Sequence, residues 1–303
     1  MGLRADTTPQ AVRIATTRLA QAPRPLRLSY AGQCLRVRGS QIVPDRQVPQ
    51  AGIELIGSDS PAADAEIVLV GAEALVAAGL ARMSFDLTLP TLTPALMEAA
   101  GIAGPAGAAL ARALDRKDAA AVSRHGGPLA PVLTELLQAA GPADRALAAL
   151  DAAQLPPPAR SLANRLAATV AAIRAGAPTL RLTIDPVEFR GFRYHTGIAV
   201  TIYAPGRHEE IGRGGRYLCG EDPATGLSLY PDALLRAAPP RAARPRLFVP
   251  GGGDADIAAR FRRLGYATIA ALEPTADPVA EARRLVCTHV LRNGEAVLLS
   301  APP

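Results

Sequence analysis

The residues best suited to bind a small polar molecule fall in three short stretches. The first is EFRGFRYHTGIAVTIY, residues 188–203. Arg190, beside a glycine, can offer a planar, two-pronged contact to a carboxylate. Tyr194 and His195 can hydrogen-bond to a small polar ring or stack on it. A turn ahead of a strand, with its rings packed in the core, accounts for the same residues without a ligand. The second stretch is RLSYAGQCLRVRGSQIVPDRQVPQAGIELIG, residues 27–57. Alternate residues of a strand share a face, so Arg36 and Arg38 point one way, and Gln50 and Glu54 point together on the partner strand. A carboxylate and an amide aimed at one spot suit an ammonium group, although a solvated edge hairpin would read alike. The third is Arg4-Ala5-Asp6-Thr7-Thr8, where Asp6 and Thr8 can add acceptors for that ammonium or cap the next helix.

These stretches need elements to hold them. LRADTTPQAVRIATTRLA reads as strand, turn and helix, with Thr7 or Thr8 as cap, Pro9 in the first turn and Gln10 completing a capping box with Thr7. Strands are predicted around 26–38 and 50–56, a helix over 62–78 and a strand over 83–89. From 91 to 178 the chain is rich in alanine and leucine, with Gly/Pro punctuation, which predicts several short helices. Strands are predicted again at 180–185 and 195–203, and 226–237 reads as a strand running into a helix. Beyond a Pro/Arg segment at 239–245 the pattern is β, α, β, α and a closing hairpin turned by Asn293-Gly294. The whole is an α+β protein. Its mostly antiparallel core is formed by 1–90 and 179–240, its helical insertion by 91–178, and its small C-terminal α/β unit by 244–303.

Composition narrows the function. The chain has 303 residues, 49% of them hydrophobic and 20% charged, which is globular rather than disordered. The net charge of +6 is carried by scattered arginines, with Lys117 the only lysine, so no dense basic face marks a nucleic-acid partner. Cys34, Cys219 and Cys287 are far apart and form no CxxC pair, and His125, His208 and His289 lack ligand spacing. Neither a disulfide framework nor a metal site is expected, and a reducing cytoplasm fits. No run of about 18 uncharged apolar residues predicts a membrane span. Gly251-Gly252-Gly253 can cradle a phosphate, but no P-loop Lys-Ser/Thr follows, and a turn accounts for it.

Taken in order, the stretches resemble histidyl-tRNA synthetase and its non-synthetase relatives. LRADTTPQ is similar to the family's LRPEGT segment. YAGQCLR followed by VPQAGIE is similar to the class II motif 2 hairpin. FRGFRYHTG resembles the histidine-specific RGLDYYTG, GRGGRY resembles the GGRYD that follows, and ATGLSLYPDALL sits where motif 3 belongs. The resemblance covers roughly residues 1–240. It implies a class II synthetase-like antiparallel sheet and a histidine pocket built from Asp6, Thr8, Arg36, Gln50, Glu54, Arg190, Tyr194 and His195. It also implies a family segment ahead of LRAD, carrying motif 1 and much of the dimer interface, which lies outside this sequence. The departures fall on the ATP side. The Phe-Arg-Tyr-Glu of motif 2 becomes Leu35-Arg36-Val37-Arg38, and the arginine expected to clamp the ATP tail in motif 3 is Ala233. Losing such a clamp removes several kcal/mol of charge stabilisation. A retained histidine pocket beside a broken ATP site implies the regulatory-subunit branch of ATP phosphoribosyltransferase, which acts in the first step of histidine biosynthesis. That branch is non-catalytic and needs no cofactor. It works with a short-form catalytic subunit under L-histidine feedback, with a homodimer inside the hetero-oligomer as one arrangement. An active histidyl-tRNA synthetase, another class II amino-acid ligase and a stand-alone histidine sensor are the alternatives.

Overall fold

The computed structural model describes residues 2–39, 44–188, 194–207, 209–240, 242–251 and 255–300. The chain divides into two compact units, Met1–Pro239 and Pro240–Pro303.

The first unit opens with α1 (Thr8–Thr16), β1 (Leu26–Leu35), β2 (Gln47–Ile56), α2 (Pro61–Ala77) and β3 (Ser84–Thr88). The alanine-rich stretch forms α3 (Leu92–Ala99), α4 (Gly104–Asp115), α5 (Ala119–His125), α6 (Ala130–Ala139), α7 (Ala143–Ala152) and α8 (Pro157–Gly176). A two-residue strand, β4 (Gly141–Pro142), precedes α7. Then follow β5 (Arg181–Asp185), β6 (Ala199–Tyr203), β7 (Glu210–Cys219), β8 (Asp222–Leu229) and α9 (Pro231–Ala237). The strands make one sheet in the order β1-β2-β8-β7-β6-β3-β5-β4. It is antiparallel except for the β3–β5 pair.

The core lies on the sheet face that α2 and α8 cover. Phe85, Val200, Ile202 and Leu227 of the sheet meet Ile67, Val68 and Leu75 of α2 and Leu166, Val170 and Ile173 of α8, all of them buried. Helix α2 is apolar nearly all round because it is sandwiched. Ser60 caps it by accepting from the Ala63 backbone N–H at 3.2 Å. Its one buried acid, Asp64, is held by Arg216 of β7 at 2.8 Å and by Arg165 of α8 at 3.3 Å, so strand and two helices are tied by a buried ion cluster.

Three local expectations are corrected here. Thr7 occupies the N-cap position of α1, but its side chain makes no cap bond. The Thr7 hydroxyl instead lies 3.3 Å from Cys34 Sγ, while the Asp6 carboxylate satisfies the Thr8 N–H at 2.9 Å. The strand predicted over 195–203 begins only at Ala199, because Thr196 N–H and Ile198 C=O are first bonded to the Arg216 backbone. β7 itself gave no strand signal, since glycines at 212, 214 and 215 suppress β-propensity and break the alternation. It nevertheless lies in the middle of the sheet, between β8 and β6.

The second unit is β9 (Arg246–Val249), α10 (Ala255–Arg263), β10 (Ala267–Ala270), α11 (Pro278–Arg284), β11 (His289–Arg292) and β12 (Glu295–Leu298). Its sheet runs β10-β9-β11-β12, parallel except for the last pair. Asn293 and Gly294 have φ of 48° and 78°, the left-handed pair a two-residue hairpin turn needs. Among the described residues no helix is long and apolar enough to cross a membrane.

Candidate functional site

Four strands build a shared floor. In register across the sheet, Tyr30 of β1 faces Gly52 of β2, which faces Ser228 of β8, which faces Arg213 of β7. One step along, Glu54 faces Gly226, and Gly226 faces Gly215. The glycines leave room above this floor, and a cavity of about 440 Å³ opens there. Gly226 makes room for the acid: a Cβ on it would sit 1.8 Å from Glu54 Oε2 and would have to displace that carboxylate. Gly215 has φ of +146°, and a Cβ there would meet the His195 ring at 2.9 Å.

Of the eight residues expected from sequence, Asp6, Thr8, Gln50, Glu54, Tyr194 and His195 line this one cavity. Arg36 lies just beyond β1 and is exposed, with its guanidinium 5.9 Å from the ring centre of Tyr230, itself a cavity residue. Arg190 lies outside the described residues. The segment ahead of α1 is fixed by Gln50, whose Oε1 accepts from Thr7 N–H at 2.8 Å and whose Nε2 donates to Asp6 Oδ1 at 2.9 Å.

Glu54 dominates the electrostatics. It is 3% exposed, and among the described residues no basic side chain pairs with it. Burial pushes its carboxyl up to about 7, against hydrogen bonds from Tyr217, at 2.8 Å, and from the Thr8 and Tyr30 hydroxyls. Burial and the nearby Glu54 together hold the Tyr217 and Tyr30 phenols far above their ordinary value, so both stay protonated donors. Tyr30 joins the Thr8 hydroxyl at 3.0 Å and the Ser228 hydroxyl at 2.8 Å. On the opposite wall, His195 Nδ1 lies 3.1 Å from the Arg216 carbonyl oxygen, an acceptor that requires the proton on Nδ1. Burial lowers its pKa, so the ring is neutral at pH 7. The Tyr194 ring packs against it, 4.1 Å between centres and tilted by 37°. A buried acid at the floor, hydroxyls around it and two rings above can take a small cationic, ring-bearing ligand.

Sequence reading missed Arg213, Tyr217, Ser228 and Tyr230 as cavity residues, and Tyr30 as the hydroxyl that joins the cavity residues Thr8 and Ser228. GRGGRY held a usable signal, because Arg213, Gly215 and Tyr217 alternate on one face, but without a strand assignment the alternation had no face to define. Arg213 is engaged by Glu210, with its Nε donating at 2.8 Å. On the ATP side, Arg38 is exposed and Ala233 is a 2% exposed residue of α9 packed into the core. Among the described residues no cluster of His, Cys, Asp and Glu could hold a metal ion, and the three cysteines are reduced and buried.

The family model for histidyl-tRNA synthetase matches residues 1–234. An ATP phosphoribosyltransferase regulatory subunit from Gluconobacter oxydans is 53% identical over 297 residues, spanning 98% of this chain and 78% of the relative. A Bacillus halodurans structure described as an ATP phosphoribosyltransferase regulatory subunit/histidyl-tRNA synthetase superposes with a TM-score of 0.73 at 22% identity, covering 93% and 77% of the two chains. A chain of the ATP phosphoribosyl transferase (HisG:HisZ) complex from Thermotoga maritima gives a TM-score of 0.61 at 18% identity, over 76% and 81%. The two structural likenesses speak to the fold alone. With that fold, and with sequence identity above one half along nearly its whole length, the chain belongs to the family of ATP phosphoribosyltransferase regulatory subunits, built on the histidyl-tRNA synthetase scaffold.

Proposed function

We propose that the cavity binds L-histidine as a feedback effector, and that the chain conveys its occupancy to a short-form ATP phosphoribosyltransferase catalytic subunit in the cytoplasm. The observation that carries this reading is Glu54, a buried carboxylate opening on the cavity with no basic partner among the described residues. Leaving it uncompensated is costly unless a ligand brings the missing positive charge. Histidine brings an ammonium group and a ring N–H, and Asp6 and the Tyr194–His195 ring pair stand ready around Glu54. Relatives named as regulatory subunits, and the Thermotoga complex, support the partner assignment.

The chain performs no transfer chemistry of its own in this reading. Ala233 offers no cation to an ATP tail, and Arg38 replaces the acid expected near the adenine. Isothermal titration is the direct test: histidine binding without useful ATP affinity is expected, together with co-purification of the catalytic subunit. Tight ATP binding and histidine-dependent ATP–pyrophosphate exchange would replace the reading with a working synthetase.

A further inference from the structure

Helix α2 outruns the layers that cover it. Its first turns are packed, with Ala63, Ala65, Ile67 and Val68 buried. Toward its C-terminus the cover thins, and Val76 is 58% exposed. Leu69, Ala72, Glu73, Val76 and Ala77 recur at the spacing of one helix face and form a wall of a groove of about 720 Å³. The end of α8 closes the groove beside Leu69: a Cβ on Gly176 would stand 2.8 Å from Leu69 Cδ1. A further wall is the end of the sheet, where Tyr203 of β6, Ser84 of β3 and Arg181 of β5 stand in register.

Two arginines border this groove without a counter-charge. Arg82 and Arg181 line it, both are exposed, and neither makes an ion pair or side-chain hydrogen bond with another described residue. Arg174, in the last turn of α8, is by contrast paired with Asp144 at 2.7 Å. An open apolar stripe between unpaired arginines fits an amphipathic helix whose own apolar stripe is edged with carboxylates. The stripe offers a ridge for helix packing, and each guanidinium can take a carboxylate with two parallel bonds. Glu73, the acid of the groove wall among the described residues, calls for one basic side chain in the same helix.

Helix α2 also reaches the effector cavity. Asp64, in its first turn, holds Arg216 at 2.8 Å. The Arg216 carbonyl in turn accepts from Thr196 N–H at 3.0 Å and lies 3.1 Å from Nδ1 of the cavity residue His195. From Asp64 to Val76 the helix runs about 18 Å, so one rigid element touches both the cavity wall and the groove. We infer that this groove is the docking surface for the catalytic subunit, and that the docked element is an amphipathic helix bordered by acidic side chains. The inference rests on the reading of this chain as a subunit that works with such a partner.

The test measures assembly of the full chain with the intact catalytic subunit by biolayer interferometry, beside histidine titrations of the free chain and thermal melts of every variant. Arg82→Glu/Arg181→Glu should weaken assembly by about tenfold or more, and Val76→Gln by about fivefold. Both should melt like the parent and bind histidine within about twofold of it. The arginine loss should shrink as salt rises, whereas the Val76 loss should persist. Arg112→Glu/Arg116→Glu places the same charge change on the helical insertion and should assemble like the parent. The native cysteines are buried, so a benzophenone maleimide on Val76→Cys labels one site. Its crosslinks should fall on one segment of the catalytic subunit with acidic residues at helical spacing. Crosslinks to a second copy of this chain would assign the groove to self-association and overturn the inference. Groove variants that assemble as tightly as the parent, or an insertion control that weakens assembly as much, overturn it too while leaving the partner reading intact. A parent chain that does not assemble with the catalytic subunit removes the partner reading and the docking surface together.

Discussion

Removing the charge at Glu54 separates stability from function. The carboxyl moves from an ordinary 4.5 to about 7 in the folded chain because burial disfavours its charged form. That difference is worth about 3 kcal/mol of lost stability once the group is ionised. The sign follows from the direction. The empty folded chain holds this proton more tightly than the unfolded chain, so Glu54 costs nothing below about pH 4.5. The cost grows as pH rises through 7 and levels off above it. Glu54→Gln keeps an acceptor for the Tyr217 hydroxyl and carries no charge. In urea denaturation at pH 8.5 the variant should therefore be more stable than the parent by roughly 1–3 kcal/mol, and at pH 4.5 the two should nearly coincide. The same variant should lose histidine affinity by about one to two decades at pH 8. Binding of a cation should also draw the proton off. Calorimetry at pH 7 in buffers of different ionisation enthalpy should show about half a proton more released by the parent than by Glu54→Gln. A variant less stable than the parent by the same amount at both pH values would refute the reasoning, since Glu54 would then be satisfied by hydrogen bonds alone.

Three further outcomes follow from the same geometry. Gly226→Ala should abolish histidine binding, because its Cβ would lie 1.8 Å from Glu54 Oε2 and push that carboxylate across the cavity; calorimetry beside a thermal melt checks it. Asp64→Ala should destabilise the first unit by about 3–5 kcal/mol in urea, because it leaves Arg216, 3% exposed, without its buried counter-charge. Val286→Gly should raise the melting temperature, with a gain of about 1 kcal/mol. Val286 ends α11 at φ of 54°, a left-handed position where a β-branched residue is strained.

Much of the architecture was legible because it is written in short-range periodicities. Alternation puts Gln50, Gly52 and Glu54 on one strand face, and the structure turns that face to the cavity. Helical spacing and Gly/Pro punctuation marked the alanine-rich stretch, and Asn293-Gly294 marked the closing hairpin, each through a preference local to the chain. The limits were local too. β7 went unread because its glycines, which open the cavity, erase the pattern that would have announced a strand.

Sequence alone determined which face Gln50 and Glu54 share and which residue types the chain could offer to a small polar ligand. Tertiary structure alone decided what each of them does. Tyr217 reaches Glu54 across 163 positions, Ser228 reaches Gln50 across 178, and Arg216 pairs with Asp64 across 152. No local preference records such partners, because they are chosen by strand register and burial acting on the whole sheet. The groups around the Gln50 amide likewise come from Thr7, Cys34, Asp6 and Ser228, and only the packed sheet brings those four together.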